Sequence, residues 1–463
     1  MGSLTQLMYT ARDALSAQSY GLNVAGQNIT NVNTPGYVRR EAILETRALG
    51  TATTGTVTAA GLRRATDQYI ERRELTALGS VGAGSAHDRE LQSIEAQFND
   101  LGGTGLGSAL DNLFASFSSL AANPNDPTAR ATVLGAADAF AQRTNAMGDA
   151  LATQRDDLLK QAQATAQDVN QRASSIAALN RRIQLAVAQG EDAADLKDQR
   201  NNLLLGLAQL IDVHTIEDGK GGMVVQGGGA TLVEGVESRS LLVDLAGDGS
   251  LRFSMQRPDG GSGTEITQLV SGGKLAGIKE ARDVDVFEAA RKLDQFVFDV
   301  GNAINSQHRA GFGQDGVSGR NLFDVSAVAD GAARALGLSN DVAGDPSKIA
   351  ASSSAAALPG GSGNAVALAD LFKTAVSGGR TAAEAYGDIV GGIGSRRAVV
   401  TQALETQTAI KEQVQAMRES VSGVSLDEEM VSLTKFQRAY EAAGRVLSTV
   451  DELLQDLMNR VGR

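Results

Sequence analysis

Residues 21–40 read GLNVAGQNITNVNTPGYVRR, a helical run that closes on asparagines, a Pro-Gly pair, a tyrosine and two arginines. Within and before it, Leu4, Met8, Ala11, Leu15, Leu22, Ala25 and Ile29 step by fours and threes, with Gln18 filling the one gap. That is a heptad seam along one face of a helix. Pro35 steers Thr34 away from helical angles, and Pro35-Gly36 suits the central positions of a type II turn. Asn31 and Asn33 tolerate the left-handed conformation at a helix end. The helix therefore stops near residue 30 and the chain turns a corner. A one-sided helix of this length is marginal alone and persists when paired.

Its partner is at the far end. Leu433, Phe436, Tyr440, Ala443, Leu447, Val450, Leu454, Leu457 and Val461 repeat the same spacing. Both ends are thus expected to pair as a coiled coil while the middle of the chain projects outward. The final helix is introduced by SLDEEM (425–430), read as Ser425 capping a first turn of carboxylates.

Between the ends, residues 62–100 read as helix with a break at GSVGAGS. NPNDPTAR then places Asp126 as a cap and Pro127 at the first position of a long helix to about residue 189. Across the AQGEDAAD turn, Leu196, Leu203, Leu207 and Leu210 form its antiparallel partner. From Val213 the period changes to two, around Asp218-Gly219 and Asp248-Gly249, which predicts a small antiparallel β region. Helix returns near 271–308 and again from Ser395, separated by a Gly-, Ser- and Ala-rich stretch at 310–365 suited to a second excursion or loops. The fold class is mainly α with a β insertion, elongated and multi-domain. A terminal coiled-coil domain (1–45 with 424–463), a helical bundle (46–211 with 366–423 and the helix near 271–308) and an outer β-rich and Gly-rich region (212–270 with 309–365) are expected.

Composition narrows the function. In 463 residues, 42 Lys and Arg face 54 Asp and Glu, a formal charge of −12 that disfavours nucleic acid or an anionic bilayer as partner. No stretch is long and apolar enough to span a membrane, and the start lacks the pattern of a cleaved secretory signal. Without cysteine there are no disulfides, thiolate metal sites or cysteine nucleophiles. The absence of Trp, 4 % aromatics and 53 Gly favour alanine-rich helical packing in an elongated molecule.

No active site emerges. Gly219-Lys220 and Gly273-Lys274 lack the hydroxyl residue of a phosphate-binding loop, and GGTGLGS (102–108) reads as a turn. His87, His214 and His308 are far apart and read as surface or loop residues, with no spacing for zinc. GFGQDGVSG lacks the acidic repeat of a calcium loop. No catalytic residue, cofactor or metal is assigned.

The run through Asn28, Asn31, Asn33, Thr34, Pro35, Gly36 and Tyr37 closely resembles the N-terminal signature of the bacterial flagellar rod, hook and hook-associated proteins. SVSGVSLDEEMVSLTKFQRAYEAAGRVLSTVDELLQDLM (420–458) is similar to their C-terminal signature, in the form of the hook-associated branch. The resemblance continues through TDQYIERREL, NPNDPTAR, DLKDQRNNLLLGLAQLIDV and GKLAGIKEARD, and weakens over roughly 310–390.

It implies a non-enzymatic subunit of the hook-filament junction, exported unfolded by the flagellar type III secretion apparatus and located outside the cell on the flagellum. It further implies a homo-oligomeric ring touching hook subunits and a second hook-associated protein or filament subunits, without nucleic acid or membrane insertion. The expected assembly interface is Leu4, Met8, Leu15, Leu22, Ile29, Asn31, Asn33, Pro35, Gly36 and Tyr37 with Leu433, Phe436, Tyr440, Leu447, Val450, Leu454 and Leu457. Tyr37, Arg39 and Arg40 are expected to reach neighbouring subunits, and Leu447 and Leu454 to dock an export chaperone. The alternatives are a hook or rod subunit, and a flagellum-borne enzyme with its site in 213–365.

Overall fold

The structure, a computed structural model, describes residues 2–48, 55–100, 102–256 and 263–461. Helix α1 (Gly2–Thr30) ends where the sequence predicts. Gly36 has φ +78° and the Tyr37 N–H donates to the Thr34 carbonyl (3.1 Å), as a type II turn around Pro35-Gly36 requires. Left-handed asparagines are not part of the stop: among the described residues only glycines have positive φ. Instead the Asn31 side-chain amide donates to the Gln27 carbonyl (2.9 Å), which also takes the Asn31 backbone N–H (3.1 Å), so Asn31 folds its side chain back onto the last turn.

Strands β1 (Arg40–Ala48) and β2 (Gly55–Arg64) then form an antiparallel hairpin, with a register shift between Ile43 and Leu44. The sequence reading placed no strand here and began helix at residue 62. What the local pattern could not show is that Asn28 holds the first strand residue at both backbone atoms, accepting from Arg40 N–H (3.0 Å) and donating to Arg40 C=O (2.8 Å).

Helix α2 (Gln68–Gln97) is capped by Asp67, which accepts from Tyr69 N–H at 2.7 Å. It runs unbroken through GSVGAGS, correcting the expected break. These glycines serve close approach: a Cβ on Gly82 would lie 2.4 Å from the Gln209 carbonyl oxygen.

After α3 (Leu106–Ala122), Asp126 and Pro127 start α4 (Pro127–Ala188) as predicted, and α5 (Ala194–Ala208) folds back on it. The arms are unequal, 62 residues against 15. The rest of α4 packs against α3, later helices and β structure. Strands β3 (Val213–Glu217), β4 (Met223–Gly227), β5 (Ala230–Glu234) and β6 (Glu237–Ser238) form one antiparallel sheet. Strands β7 (Leu241–Leu245), β8 (Leu251–Met255) and β9 (Thr264–Glu265) form another, so the predicted β region is two small sheets. Both Asp-Gly turns are present, with Gly219 at φ +70° and Gly249 at φ +77°. Asn180 and Asn170 on α4 donate to the Met223 (2.8 Å) and Leu241 (2.9 Å) carbonyls, tying each sheet to the helix.

Helix α6 (Gly273–Glu280) continues through a π turn (Ala281–Val286) into α7 (Phe287–Ala310). The Gly-rich stretch beyond carries β10 (Phe323–Asp324), α8 (Ala332–Ala335), β11 (Gly337–Leu338) and α9 (Gly363–Asp370), and buries Leu322, Phe323, Val342, Ile349 and Leu368. Helix α10 (Ala382–Ser422), begun by a Thr381–Glu384 capping box, leads through Gly423–Ser425 to α11 (Leu426–Val461).

The buried side chains from Leu75 to Val400, including those of β3–β5, β7 and β8, form one continuous core that, among the described residues, contains none of α1 or α11. Two of the three histidines correct the sequence reading, while His214 is exposed as expected. His308 is fully buried: its Nε2 accepts from Ala350 N–H (3.0 Å), so Nδ1–H donates to the Arg320 carbonyl (2.8 Å). His87 lies within α2, its Nε2 2.5 Å from Asp285.

Candidate assembly site

The terminal helices pair with each other. Asn28 holds Arg40 beside the end of α1, and Arg39 bonds Glu429 in the first turn of α11, while Gly21 faces Phe436 two turns along. The pair is therefore antiparallel. Leu433, Phe436, Leu447, Leu454 and Leu457 are half-buried and Val450 is buried, whereas Tyr440 is exposed.

On α1 the buried residues are Ala11 and Ala25, which lie on the predicted stripe, and Ala17, Gly21, Val24 and Asn28, which lie one position before its members. Leu4, Met8, Leu15, Leu22 and Ile29 are half-buried. The rotation follows from a second neighbour, the β1–β2 hairpin, which packs on the same helix. Leu22 faces a cleft shared with Leu62, Arg40 and Asp195. At the α11 crossing small residues bring the axes together: a Cβ on Gly21 would lie 2.6 Å from the Phe436 ring.

The corner is a polar junction built on the quoted motif. Tyr37 O–H donates to Asn28 Oδ1 (2.8 Å), and the Arg40 guanidinium lies over the Tyr37 ring at 4.8 Å. Arg40, 7 % exposed, bonds Asp195 and Asp198 of α5, the latter at 3.0 Å. Arg64 Nε donates to the other Asp198 oxygen at 2.8 Å. Arg40 and Arg64 are cross-strand partners, so one α5 carboxylate holds both strands at the open end of the hairpin. Burial works against the Arg40 charge, yet its bonds to Asp195 and Asp198 hold its pKa above the ordinary value. Burial pushes the Asp198 carboxyl upward, and the Arg64 and Arg40 guanidiniums oppose that push.

Arg39 closes the other side. Its Nε donates to Glu429 (2.9 Å), Glu428 lies 3.3 Å from its Nη1, and its N–H donates to the Ser422 carbonyl (3.0 Å). Two of the three SLDEEM carboxylates are thus ion-pair partners as well as first-turn residues; Glu429 is 3 % exposed. Arg39 and Arg40, expected at neighbouring subunits, make these bonds within the chain. Asn33 and Pro35 stay exposed, Asn31 is half-buried, and Gly36 packs so closely that a Cβ would lie 1.9 Å from Asn202.

The sequence reading missed Gly21, Asp195 and Asp198. The first could be found from its one-position offset from the seam; the carboxylates carried no local signal. Chemically, the arrangement fixes the terminal helix pair to the body. Among the described residues no group of three His, Asp or Glu could hold a metal ion, and no helix is long and apolar enough to cross a membrane.

Comparison with known proteins places this geometry among relatives. A family profile described as the flagellar hook-associated protein FlgK helical domain matches residues 91–323. Profiles described as flagella basal body rod protein and flagellar basal body rod FlgEFG protein C-terminal match residues 8–37 and 416–460. The chain is 26 % identical to flagellar hook-associated protein 1 of Bacillus subtilis (strain 168), covering 98 % of this chain and 97 % of that relative. To the protein of the same name from Escherichia coli (strain K12) it is 25 % identical over 98 % of this chain and 100 % of the other. The solved structure of the flagellar hook junction protein FlgK from Burkholderia pseudomallei shares the fold, with a TM-score of 0.63, 18 % identity, and coverage of 76 % of this chain and 100 % of that one.

Proposed function

Because the chain belongs to the family of the flagellar hook-associated protein FlgK, we propose that it is a structural subunit of the bacterial flagellum that joins hook to filament. The family, flagellar location and association with other axial proteins rest on the relatives. The two end profiles belong to rod proteins, and the helical-domain match across 91–323 favours the hook-associated branch over a hook or rod subunit.

The finer reading is a homo-oligomeric ring, exported unfolded by the type III apparatus and built outside the cell. It touches hook subunits on one side and a second hook-associated protein or filament subunits on the other, with no catalytic role. The observation that carries it is the antiparallel α1–α11 pair, closed at its corner by Arg39 with Glu429 and held to a separate core by the Arg40 and Arg64 ion pairs with α5. A helix pair with its own attachment can order against neighbours while the body stays rigid. Leu447 and Leu454, half-buried against α1, become available to an export chaperone when α1 is displaced.

A deletion strain tests the reading. It is expected to carry hooks without filaments and to shed filament subunits into the medium. Normal filaments on the mutant would overturn it.

A further inference from the structure

A groove between α2 and α10 takes no part in the corner. The helices run antiparallel, with Arg418 bonded to Glu74 (3.0 Å) and Thr401 to Asp88 (2.7 Å). Ala77 and Val414 form its buried floor; Tyr69, 61 % exposed, and Ile410, 43 % exposed, form its walls, enclosing about 480 Å³. Arg72 and Arg73 stand on its edge. Arg73 lies over the Tyr69 ring at 5.7 Å and Arg72 bonds only the Gln68 carbonyl (3.2 Å), so neither guanidinium has a carboxylate partner among the described residues. Unsatisfied cations beside an exposed aromatic and an apolar floor fit an apolar segment that carries an acid.

The same chain presents such a segment. At the start of α11, Leu426, Met430 and Val431 are 47 %, 63 % and 69 % exposed; Leu426 and Met430, four apart, share one face, and Val431 adjoins it four residues after Asp427. Asp427 lies among them, exposed and without a cation partner among the described residues, whereas Glu428 and Glu429 are taken by Arg39. A ring is closed by a heterologous contact, which needs two different complementary patches on every subunit.

We propose that the Leu426–Val431 strip of one copy seats in the α2–α10 groove of a second copy, with Asp427 facing Arg72 and Arg73. This rests on the ring reading above. The partner is a second copy because the complementary strip is on the chain itself.

The chain has no cysteine, so introduced pairs report alone. Flagella from cells whose only copy carries Tyr69→Cys and Val431→Cys, treated with a short bis-maleimide, are expected to yield a ladder of multimers, while co-expressed single variants yield dimers. In the full chain, Arg72→Glu with Arg73→Glu is expected to weaken self-association tenfold or more at unchanged circular dichroism. Asp427→Arg alone is expected to do the same, and all three substitutions together to recover most of the loss. A ring that forms undiminished with the arginines reversed, and no cross-linked ladder, would overturn this contact and leave the ring standing. Intact self-association with failed filament growth would assign the groove to another axial protein and also overturn it. Absence of any multimer of the wild-type chain in isolated flagella would remove the ring reading, and this contact with it.

Discussion

Replacing Asp198 by alanine removes the one carboxylate that holds both strands at the open end of the β1–β2 hairpin. Arg64 loses its contact at 2.8 Å and Arg40 its contact at 3.0 Å, with side chains only 15 % and 7 % exposed. Removing one partner of a buried ion pair costs about 3–5 kcal/mol. Arg40 keeps Asp195, whose side chain is 80 % exposed, so about 3 kcal/mol is expected, the low end of that range. At about 1.4 kcal/mol per factor of ten, the hairpin would be open on the order of 100-fold more often.

Limited trypsin digestion of the full chain reads this directly. Cleavage tracks the open population when closing outpaces the protease, and Arg40, Arg47, Arg63 and Arg64 offer sites in the hairpin. Cleavage there should accelerate about 100-fold while cleavage within the core is unchanged. Asp198→Asn, which keeps an acceptor, should give a smaller increase. Asp157→Ala, at an exposed pair with Lys160, should change nothing measurable. Cleavage of the Asp198→Ala hairpin within threefold of wild type would refute the argument that this carboxylate fixes the hairpin to the body.

Gly21→Val places a side chain where the Phe436 ring already is, 2.6 Å from a Cβ, and should cost about 1–3 kcal/mol of helix pairing, with Phe436→Ala in the same chain restoring motility lost to it. Burial lowers the His308 pKa, so the unfolded chain binds a proton near pH 6.5 that the folded chain refuses. Its contribution is therefore complete above that pH and is lost as pH falls, at up to about 1.4 kcal/mol per unit; urea midpoints between pH 7.5 and 5.5 should show the decline, and His308→Gln should flatten it. Leu447→Asp with Leu454→Asp should abolish co-purification of the export chaperone, and unchanged recovery would reject that docking site.

The ends of this chain were legible because their signals are local and repeated. Heptad spacing identifies α1 and α11, Asp126-Pro127 starts α4, and two Asp-Gly pairs mark hairpins, each within a few residues. The hairpin at 40–64 was not, because it depends on Asn28 bonding both backbone atoms of Arg40 and on α5 supplying Asp198, 134 residues beyond Arg64. GSVGAGS misled for a related reason: glycines weaken an isolated helix, yet here they let α2 approach the Gln209 backbone. Arg39 and Arg40 read as contacts to neighbouring subunits because nothing near them in sequence reveals Glu429 or Asp198. Periodicity shows which faces are apolar; the ion pairs that orient those faces come from contacts far apart in the chain.

The most direct test of the junction reading is a density map of hook-filament junctions isolated from cells that express this chain. It should show a closed ring of copies between the last hook subunits and the next axial protein, each copy with its α1–α11 pair intact and joined to the body at the Arg39–Arg40 corner. A junction whose density fits no copy of the chain would contradict the account.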